Sequence, residues 1–267
     1  SSIAKNTFYK CTNLRKLNIE EGVNSIGANA FEGCSKLTSV SIAEGLISIG
    51  SYAFYGCGAM TEIALPTSLI SIGEWAFVGC SSLSKIILPN SLQTIGTYAF
   101  SSCGLTHIDI PNSVTDIQEY AFRDCKNLTS VILSSNLISI KPGVFAICPV
   151  LSSVTIPEGV TFIHGGAFCG CNLTEITLPN SLEGIGNAAN SDWGAFEGNT
   201  NLTSIVIPQK VTSIGSFAFD GCTNLKTITL QTKEGHRWGI YYDGNMEFHG
   251  WVEGEITSSQ IGMFTGN

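Results

Sequence analysis

The chain has 267 residues and a mass of 28.4 kDa, of which 43% are apolar, only 13% are charged and 29 are glycines. So much apolar surface excludes intrinsic disorder and predicts a packed, ordered protein. A net charge of −8 and a pI near 4.9 exclude non-specific binding to nucleic acid or to an anionic membrane. No apolar run reaches the roughly 18 residues of a spanning helix, so no membrane insertion is predicted.

The dominant pattern is a phrase, AFxxC, that returns about every 23 residues. Its phenylalanines are Phe8, Phe31, Phe54, Phe77, Phe100, Phe122, Phe145, Phe168, Phe196 and Phe219. All steps are 23 residues except one of 22 and one of 28. Such a period indicates a repeat protein whose units pack on one another. Because Ile3 precedes Phe8 as Ile26 precedes Phe31, the chain is expected to open inside a repeat.

Each repeat also contains LxxIxLP, as at residues 83–89, followed by VxxIG, as at residues 211–215. The period-two alternation of LxxIxL, rich in Val, Ile and Thr, predicts a short strand with one buried face. Proline ends that strand, and VxxI is long enough only for a second small strand or an extended turn. The segment IGxxAFxxC is predicted to form a tight helical or 3₁₀ turn that places phenylalanine in the interior.

One such repeat cannot bury its own apolar face, so successive coils must stack with parallel strands about 4.8 Å apart. The predicted fold class is therefore α/β, mostly β: a solenoid of about 11–12 coils with a parallel β-sheet face. We predict the solenoid over residues 1–230 and degenerate repeats, acting as a C-terminal cap, over residues 231–267. Tyr242, Phe248, Trp251 and Phe264 keep the repeat register there. A β-hairpin turning at residues 243–245 is the alternative.

The combined pattern LxxIxLPxxLxxIGxxAFxxC resembles the consensus of the BspA-like leucine-rich repeats, the treponemal subclass, from residue 3 to about residue 230. The resemblance implies a leucine-rich-repeat solenoid that coils as a right-handed superhelix. It also implies an extracellular or cell-surface location and adhesion to protein ligands such as extracellular-matrix or host surface proteins.

Nine of the ten cysteines share the last position of AFxxC, where Asn199 is the single substitute. Stacked coils bring these cysteines about 4.8 Å apart with parallel Cβ directions, a poor geometry for a disulfide. We therefore predict a column of buried free thiols. Cys169 lies off the column, directly after Phe168, and is predicted to be exposed and more reactive.

Positions three and five of LxxIxL form the outer face of the predicted sheet. This face becomes mixed in the middle of the chain, with charges and two exposed isoleucines in neighbouring rows, and we predict a ligand-binding patch there. Its residues are Glu62, Lys85, Ile87, His107, Asp109, Ser130 and Ile132. The alternative is that β-branched residues simply suit strands.

The step of 28 residues contains an insertion over residues 187–194, which must bulge outward. Trp193 in this loop is predicted to be an exposed binding anchor, because tryptophan is favoured at binding hot spots. A neutral insertion, which a solenoid tolerates on its surface, is the alternative.

The sequence predicts neither catalysis nor a metal or cofactor site. His107, Asp109 and Ser130 resemble a Ser/His/Asp set, but an open sheet supplies neither oxyanion donors nor a closed pocket, so no catalytic residues are predicted. The remaining histidines lack metal-ligand spacing and no nucleotide-binding motif occurs, so no metal or cofactor is predicted. We predict a non-enzymatic protein-binding scaffold. A structural spacer in a larger surface protein and a hydrolase centred on Ser130 are the alternatives, and the oligomeric state is left open.

Overall fold

The computed structural model describes residues 1–186 and 193–231 in full, and only the backbone of three strands beyond residue 231. The chain divides into two compact units, Ser1–Asn136 and Leu137–Asn267. Each unit is a stack of coils with parallel strands, which confirms the predicted mostly β solenoid. The coils number about ten in all, fewer than the predicted 11–12. The described residues contain no helix.

The strands of the first unit are β1 (Ser2–Ile3), β2 (Lys16–Ile19), β3 (Ser25–Ile26), β4 (Ser39–Ile42), β5 (Ser48–Ile49), β6 (Glu62–Ala64), β7 (Ser71–Ile72), β8 (Thr94–Ile95), β9 (His107–Asp109), β10 (Asp116–Ile117) and β11 (Ser130–Ile132). Those of the second unit are β12 (Ser139–Ile140), β13 (Phe162–Ile163), β14 (Gly184–Ile185), β15 (Ser204–Ile207), β16 (Ser213–Ile214), β17 (Thr227–Leu230), β18 (Trp238–Tyr242), β19 (Glu247–Val252) and β20 (Glu255–Ile256).

The VxxI segments form the most continuous ladder of each unit. In the first unit the order is β1-β3-β5-β7-β8-β10, and in the second it is β12-β13-β14-β16. Every neighbouring pair of these strands is parallel, and equivalent repeat positions lie opposite each other. Ile49, for example, pairs with Ile72. The prediction of a second small strand is confirmed. The glycine that follows allows the coils to approach, since a Cβ on Gly73 would lie 2.7 Å from the carbonyl carbon of Gly50.

The IGxxAFxxC segments form tight turns that are not helical. The amides of Phe31 and Gly33 donate to the carbonyl oxygens of Ala53 and Tyr55 in the next coil, at 2.8 and 2.7 Å. Amides engaged between coils cannot make the i→i−4 bonds of an α-helix. The amides between them do make i→i−3 bonds, as from Cys34 to the carbonyl oxygen of Phe31 at 3.1 Å. The predicted tight turn is therefore present, but it does not continue as an α- or 3₁₀-helix.

The interior of each unit is a column of stacked phenylalanine rings. Neighbouring ring centroids lie 5.1–5.4 Å apart in the first unit and 5.5–5.7 Å apart in the second. All nine rings from Phe31 to Phe219 are fully buried. The predicted interior position of phenylalanine is confirmed, and stacked aromatic burial is a large part of what holds the coils together.

Beyond residue 231 the backbone changes from parallel to antiparallel pairing. Strands β18 and β19 pair with each other, with Tyr242 opposite Glu247, which is the pairing of the hairpin alternative. Strand β20 runs antiparallel to β17, with Ile228 opposite Ile256. The proposed boundary after residue 230 and the capping role stay predictions, and Phe264 lies outside the described residues.

Candidate functional site

The predicted ligand-binding residues lie on the outer face of the first unit, as their alternating positions require. Ile87 and Ile132 are 72% and 63% exposed, whereas the isoleucines and valines between them in sequence point inward and are buried. Glu62, Lys85, Asp109 and Ser130 are exposed and His107 is half-buried. All seven positions therefore face solvent in part or in full.

The LxxIxL sheet of the first unit is interrupted, which the sequence pattern did not predict. Strands β2, β4 and β6 form one parallel sheet and β9 and β11 form another, but residues 84–88 between them form no ladder. Inward and outward side chains still alternate there, with Ile86 and Leu88 buried and Ile87 exposed. The following coil is the 22-residue one. A Cβ on its Gly104 would lie 2.3 Å from the carbonyl oxygen of Ser81, so the shortened connection crosses directly over the preceding coil.

A cleft of about 630 Å³ opens on the sheet face beside this interruption. We call it the sheet-face cleft. It is lined by Asn18, Ser39, Val40, Ser41, Thr61, Glu62, Ile63, Ala64, Leu65, Lys85, Ile86 and Ile87. Small outward side chains on β4 and β6 (Ser39, Ser41 and Ala64) lie between the longer ones of Asn18 and Lys85. This gradation of side-chain size makes the face concave.

The two charged residues of the cleft are available to a ligand. In the described part of the chain, neither Glu62 nor Lys85 forms an ion pair, although both line the same cleft. A carboxylate, an ammonium group and the exposed Ile87 side chain can together meet a surface of mixed polarity.

The structure divides the predicted patch into two groups. Glu62, Lys85 and Ile87 line the sheet-face cleft, and the other four residues lie on the β9–β11 sheet. There His107 is paired in register with Ser130, and Asp109 with Ile132. Within the described part of the chain, the side chains of His107, Asp109 and Ser130 make no hydrogen bond to one another, so they do not form the relay that a Ser/His/Asp set requires.

Sequence reasoning missed the N-terminal half of the cleft. Asn18, Ser39, Ser41 and Ala64 line it but were not among the predicted residues. The signal was available, because the small Ser41 and Ala64 hold the same repeat position as the longer Asn18 before them and Ile87 after them. Two small outward residues between longer ones predict a depression. The predicted patch rested on the charge and apolar character of the outward residues and not on their size.

Trp193, the predicted loop anchor, is half-buried. Residues 187–192 of its inserted loop lie outside the described residues. Its role as an anchor stays a prediction.

The thiol column is confirmed, and the structure gives it a reason beyond size. In the first unit the Sγ atoms of five cysteines donate to the phenylalanine carbonyl oxygen of the preceding coil at 3.1–3.4 Å. Asn199 performs the same task in the second unit, donating from Nδ2 to the carbonyl oxygen of Phe168 at 2.8 Å. The position therefore requires a compact hydrogen-bond donor for a buried carbonyl.

All ten cysteines are free thiols, and only Cys11 is exposed. Burial raises the pKa of the Cys125 and Cys222 thiols to about 12. The prediction that Cys169 is exposed is wrong, since it is 9% exposed. The position after phenylalanine is half-buried or buried in the described coils from Phe31 onward, and short side chains there, such as Ser101 and Ala146, are shielded by their neighbours.

In the part of the chain that the structure describes, no group of three His, Cys, Asp or Glu side chains is arranged to hold a metal ion. The same residues include no helical segment of the length and apolarity needed to cross a membrane.

The repeat geometry agrees with a family match. The model of the BspA type leucine-rich repeat region matches residues 1–129, 79–194 and 190–236 of the chain. These matches cover well over half of the sequence, and the chain belongs to the BspA-type leucine-rich-repeat family. No curated protein matches the chain.

Several solved structures are similar to this one, among them the following three. A leucine-rich repeat protein from Bacteroides ovatus is 31% identical with a TM-score of 0.68, and the match covers 82% of this chain and 64% of that one. A leucine-rich repeat protein from Eubacterium ventriosum is 28% identical with a TM-score of 0.55, covering 82% and 61%. The T. pallidum leucine-rich repeat protein is 31% identical with a TM-score of 0.51, covering 84% and 82%. The chain thus spans less than two thirds of the first two proteins.

Proposed function

We propose that the chain is a non-enzymatic scaffold that binds a protein ligand through the sheet-face cleft of the first unit. The observation that carries this proposal is the cleft itself, about 630 Å³ in volume, with Glu62 and Lys85 on its lining and the 72% exposed Ile87 beside them. An exposed apolar anchor flanked by available charges is typical of protein–protein contact surfaces.

The biological setting of this binding is an extracellular or cell-surface location, with adhesion to host or neighbouring-cell proteins as the role. The support for this part is the resemblance to BspA-like proteins together with the acidic, low-charge composition. Extracellular-matrix proteins are the ligands to try first.

The absence of catalysis is part of the proposal. It is supported by the lack of hydrogen bonds among the side chains of Ser130, His107 and Asp109. An active-site-directed phosphonate is expected to leave Ser130 unlabelled, as measured by mass spectrometry of the treated protein. Stoichiometric labelling of Ser130 would instead favour the hydrolase.

Binding is best tested by filling the cleft. Ser41→Arg places a long, charged side chain on the small-residue floor and should weaken binding to an immobilised extracellular-matrix ligand by roughly tenfold or more. The matched control is Ser204→Arg, which makes the same change at an exposed outward position of β15 in the second unit and should leave the affinity unchanged.

Two results would count against the proposal and for the structural spacer. One is that none of a panel of matrix proteins binds the unmodified chain. The other is that Ser41→Arg and Ser204→Arg bind with equal affinity. Circular dichroism of both variants shows that any difference does not come from unfolding.

A further inference from the structure

A second surface of the first unit carries a column of stacked aromatic side chains. Tyr52, Trp75, Tyr98 and Tyr120 occupy the position before AF in four successive coils. Their ring centroids are separated by 5.7, 4.2 and 4.8 Å, with interplanar angles of 2°, 22° and 15°. All four residues are half-buried, so each keeps part of its surface in contact with solvent. We call this set the aromatic column.

These four residues have a backbone conformation that L-amino acids rarely adopt. Their φ angles are 59°, 58°, 55° and 58°, in the left-handed region that favours glycine. In the second unit Gly143 and Gly166 hold the same position, with φ of 62° and 68°. Glycine would satisfy the turn without strain, and strained non-glycine residues concentrate at functional surfaces. The aromatic rings therefore supply something beyond the turn.

Acidic side chains accompany the column in every second coil. The amide of Tyr52 donates to the carbonyl oxygen of Glu74 at 2.8 Å, and the amide of Tyr98 donates to that of Glu119 at 3.0 Å. In the coil between them, the amide of Trp75 donates to Thr97. Both glutamates are exposed. An exposed glutamate whose main-chain carbonyl oxygen accepts from the amide of a column tyrosine is thus repeated at an interval of two coils.

This interval matches the pitch of a polyproline II helix. Two coils advance about 9.6 Å at the usual spacing between strands. One turn of polyproline II contains three residues and advances about 9.3 Å. A ligand in this conformation that lies along the column presents equivalent side chains to Tyr52 with Glu74 and again to Tyr98 with Glu119.

We infer that the aromatic column binds a proline-rich segment in the polyproline II conformation with a basic residue at every third position. Proline rings pack against the edges of the tyrosine and tryptophan rings, as in other aromatic-lined sites for such segments. The basic side chains meet the carboxylates of Glu74 and Glu119. This site is separate from the sheet-face cleft and does not depend on the function proposed for it.

The test uses the full chain and a synthetic peptide of three Pro-Pro-Arg repeats, with affinity measured by isothermal titration calorimetry. The double variant Tyr52→Gly, Tyr98→Gly should weaken binding at least about tenfold, because two of four ring contacts are lost. Glycine suits the left-handed φ, so the variant is expected to fold. Phe217→Gly removes a lone aromatic from the same position in the second unit (φ 58°) and should leave the affinity unchanged.

Charge and conformation are tested separately. Glu74→Gln with Glu119→Gln should weaken binding and reduce its dependence on salt. A peptide of three Pro-Pro-Glu repeats should bind more weakly because of like charge, and one of three Gly-Gly-Arg repeats because it lacks the preformed conformation. The cleft variant Ser41→Arg should bind the Pro-Pro-Arg peptide normally, which separates this site from the proposed function.

Three results would overturn the inference: no binding of the Pro-Pro-Arg peptide, equal binding by the double glycine variant, or equal affinity for the Gly-Gly-Arg peptide.

Discussion

Each unit has an interior column of stacked phenylalanine rings, and the two units differ at two positions of the repeat. In the first unit the left-handed position before AF carries Tyr52, Trp75, Tyr98 and Tyr120, whereas in two coils of the second unit it is held by the left-handed glycines Gly143 and Gly166. In the first unit the donor to the buried phenylalanine carbonyl is always a thiol, whereas in the second one donor is the amide of Asn199. A repeat can therefore exchange residues at a position as long as the backbone angle and the buried hydrogen bond are kept.

The largest expected effect concerns the donor position. Asn199 donates from Nδ2 to the carbonyl oxygens of Phe168 and Phe196, and its Oδ1 accepts from the amide of Leu173. Asn199→Ala leaves these three buried groups without that partner and should lower the free energy of unfolding by about 3 kcal/mol. Cys103→Ala, which removes one weak thiol donor in the first unit, should cost about 1 kcal/mol beyond the small change in packing. Urea unfolding measures both, and equal losses would show that the amide does no more than a thiol.

A smaller effect concerns the thiols at high pH. The pKa of Cys125 and of Cys222 is about 12 in the folded chain, against 9.0 for an ordinary thiol. Above pH 9 the thiols lose their protons in the unfolded chain before they do in the folded chain. The contribution of each protonated thiol to the free energy of unfolding is therefore complete below pH 9 and is lost as the pH rises toward 12. At pH 10 the loss is about 1.4 kcal/mol per thiol.

Replacement variants isolate this contribution. Cys125→Ala in the first unit and Cys222→Ala in the second should each reduce the fall in unfolding free energy between pH 8 and pH 10, measured in urea. Cys11→Ala, at the exposed thiol, should leave that fall unchanged. The explanation fails if all three variants show the same pH dependence as the original chain.

The smallest effect concerns the aromatic column. Tyr98→Gly and Tyr98→Ala both remove the stacked ring, but only alanine keeps the strain of φ 55°. The glycine variant should therefore be more stable by about 1 kcal/mol, the reverse of the usual order. Thermal unfolding of the two variants measures the difference, and a more stable alanine variant would mean that the turn relaxes out of the left-handed region.

Much of the fold followed from the sequence because the repeat carries its own periodicity. The alternation in LxxIxL predicted which side of residues 62–65 is buried, and the spacing of AFxxC predicted the column from Phe31 to Phe219. Cys169 was misjudged because its exposure depends on the lengths of neighbouring side chains in other coils. The turns before each cysteine do not continue as a helix because alternate amides, such as that of Phe31, bond to the next coil.

The candidate sites were predicted only in part for the same reason. Glu62, Lys85 and Ile87 were recognisable as outward residues, but the cleft that joins them to Asn18 and Ser41 depends on side chains from four coils. The aromatic column was not noticed at all, although its residues lie 22 or 23 positions apart in the sequence. Comparing one repeat position down all coils would have found it.

The amino-acid sequence by itself determined the coil, its period, its buried face and its column of phenylalanines and cysteines, because these are local patterns repeated at fixed spacing. The tertiary structure alone decided where the sheet is interrupted and where the face becomes concave. It also decided which acceptor each buried amide and thiol donates to. Those properties arise between coils, from the register and the side-chain sizes of residues that stacking brings together.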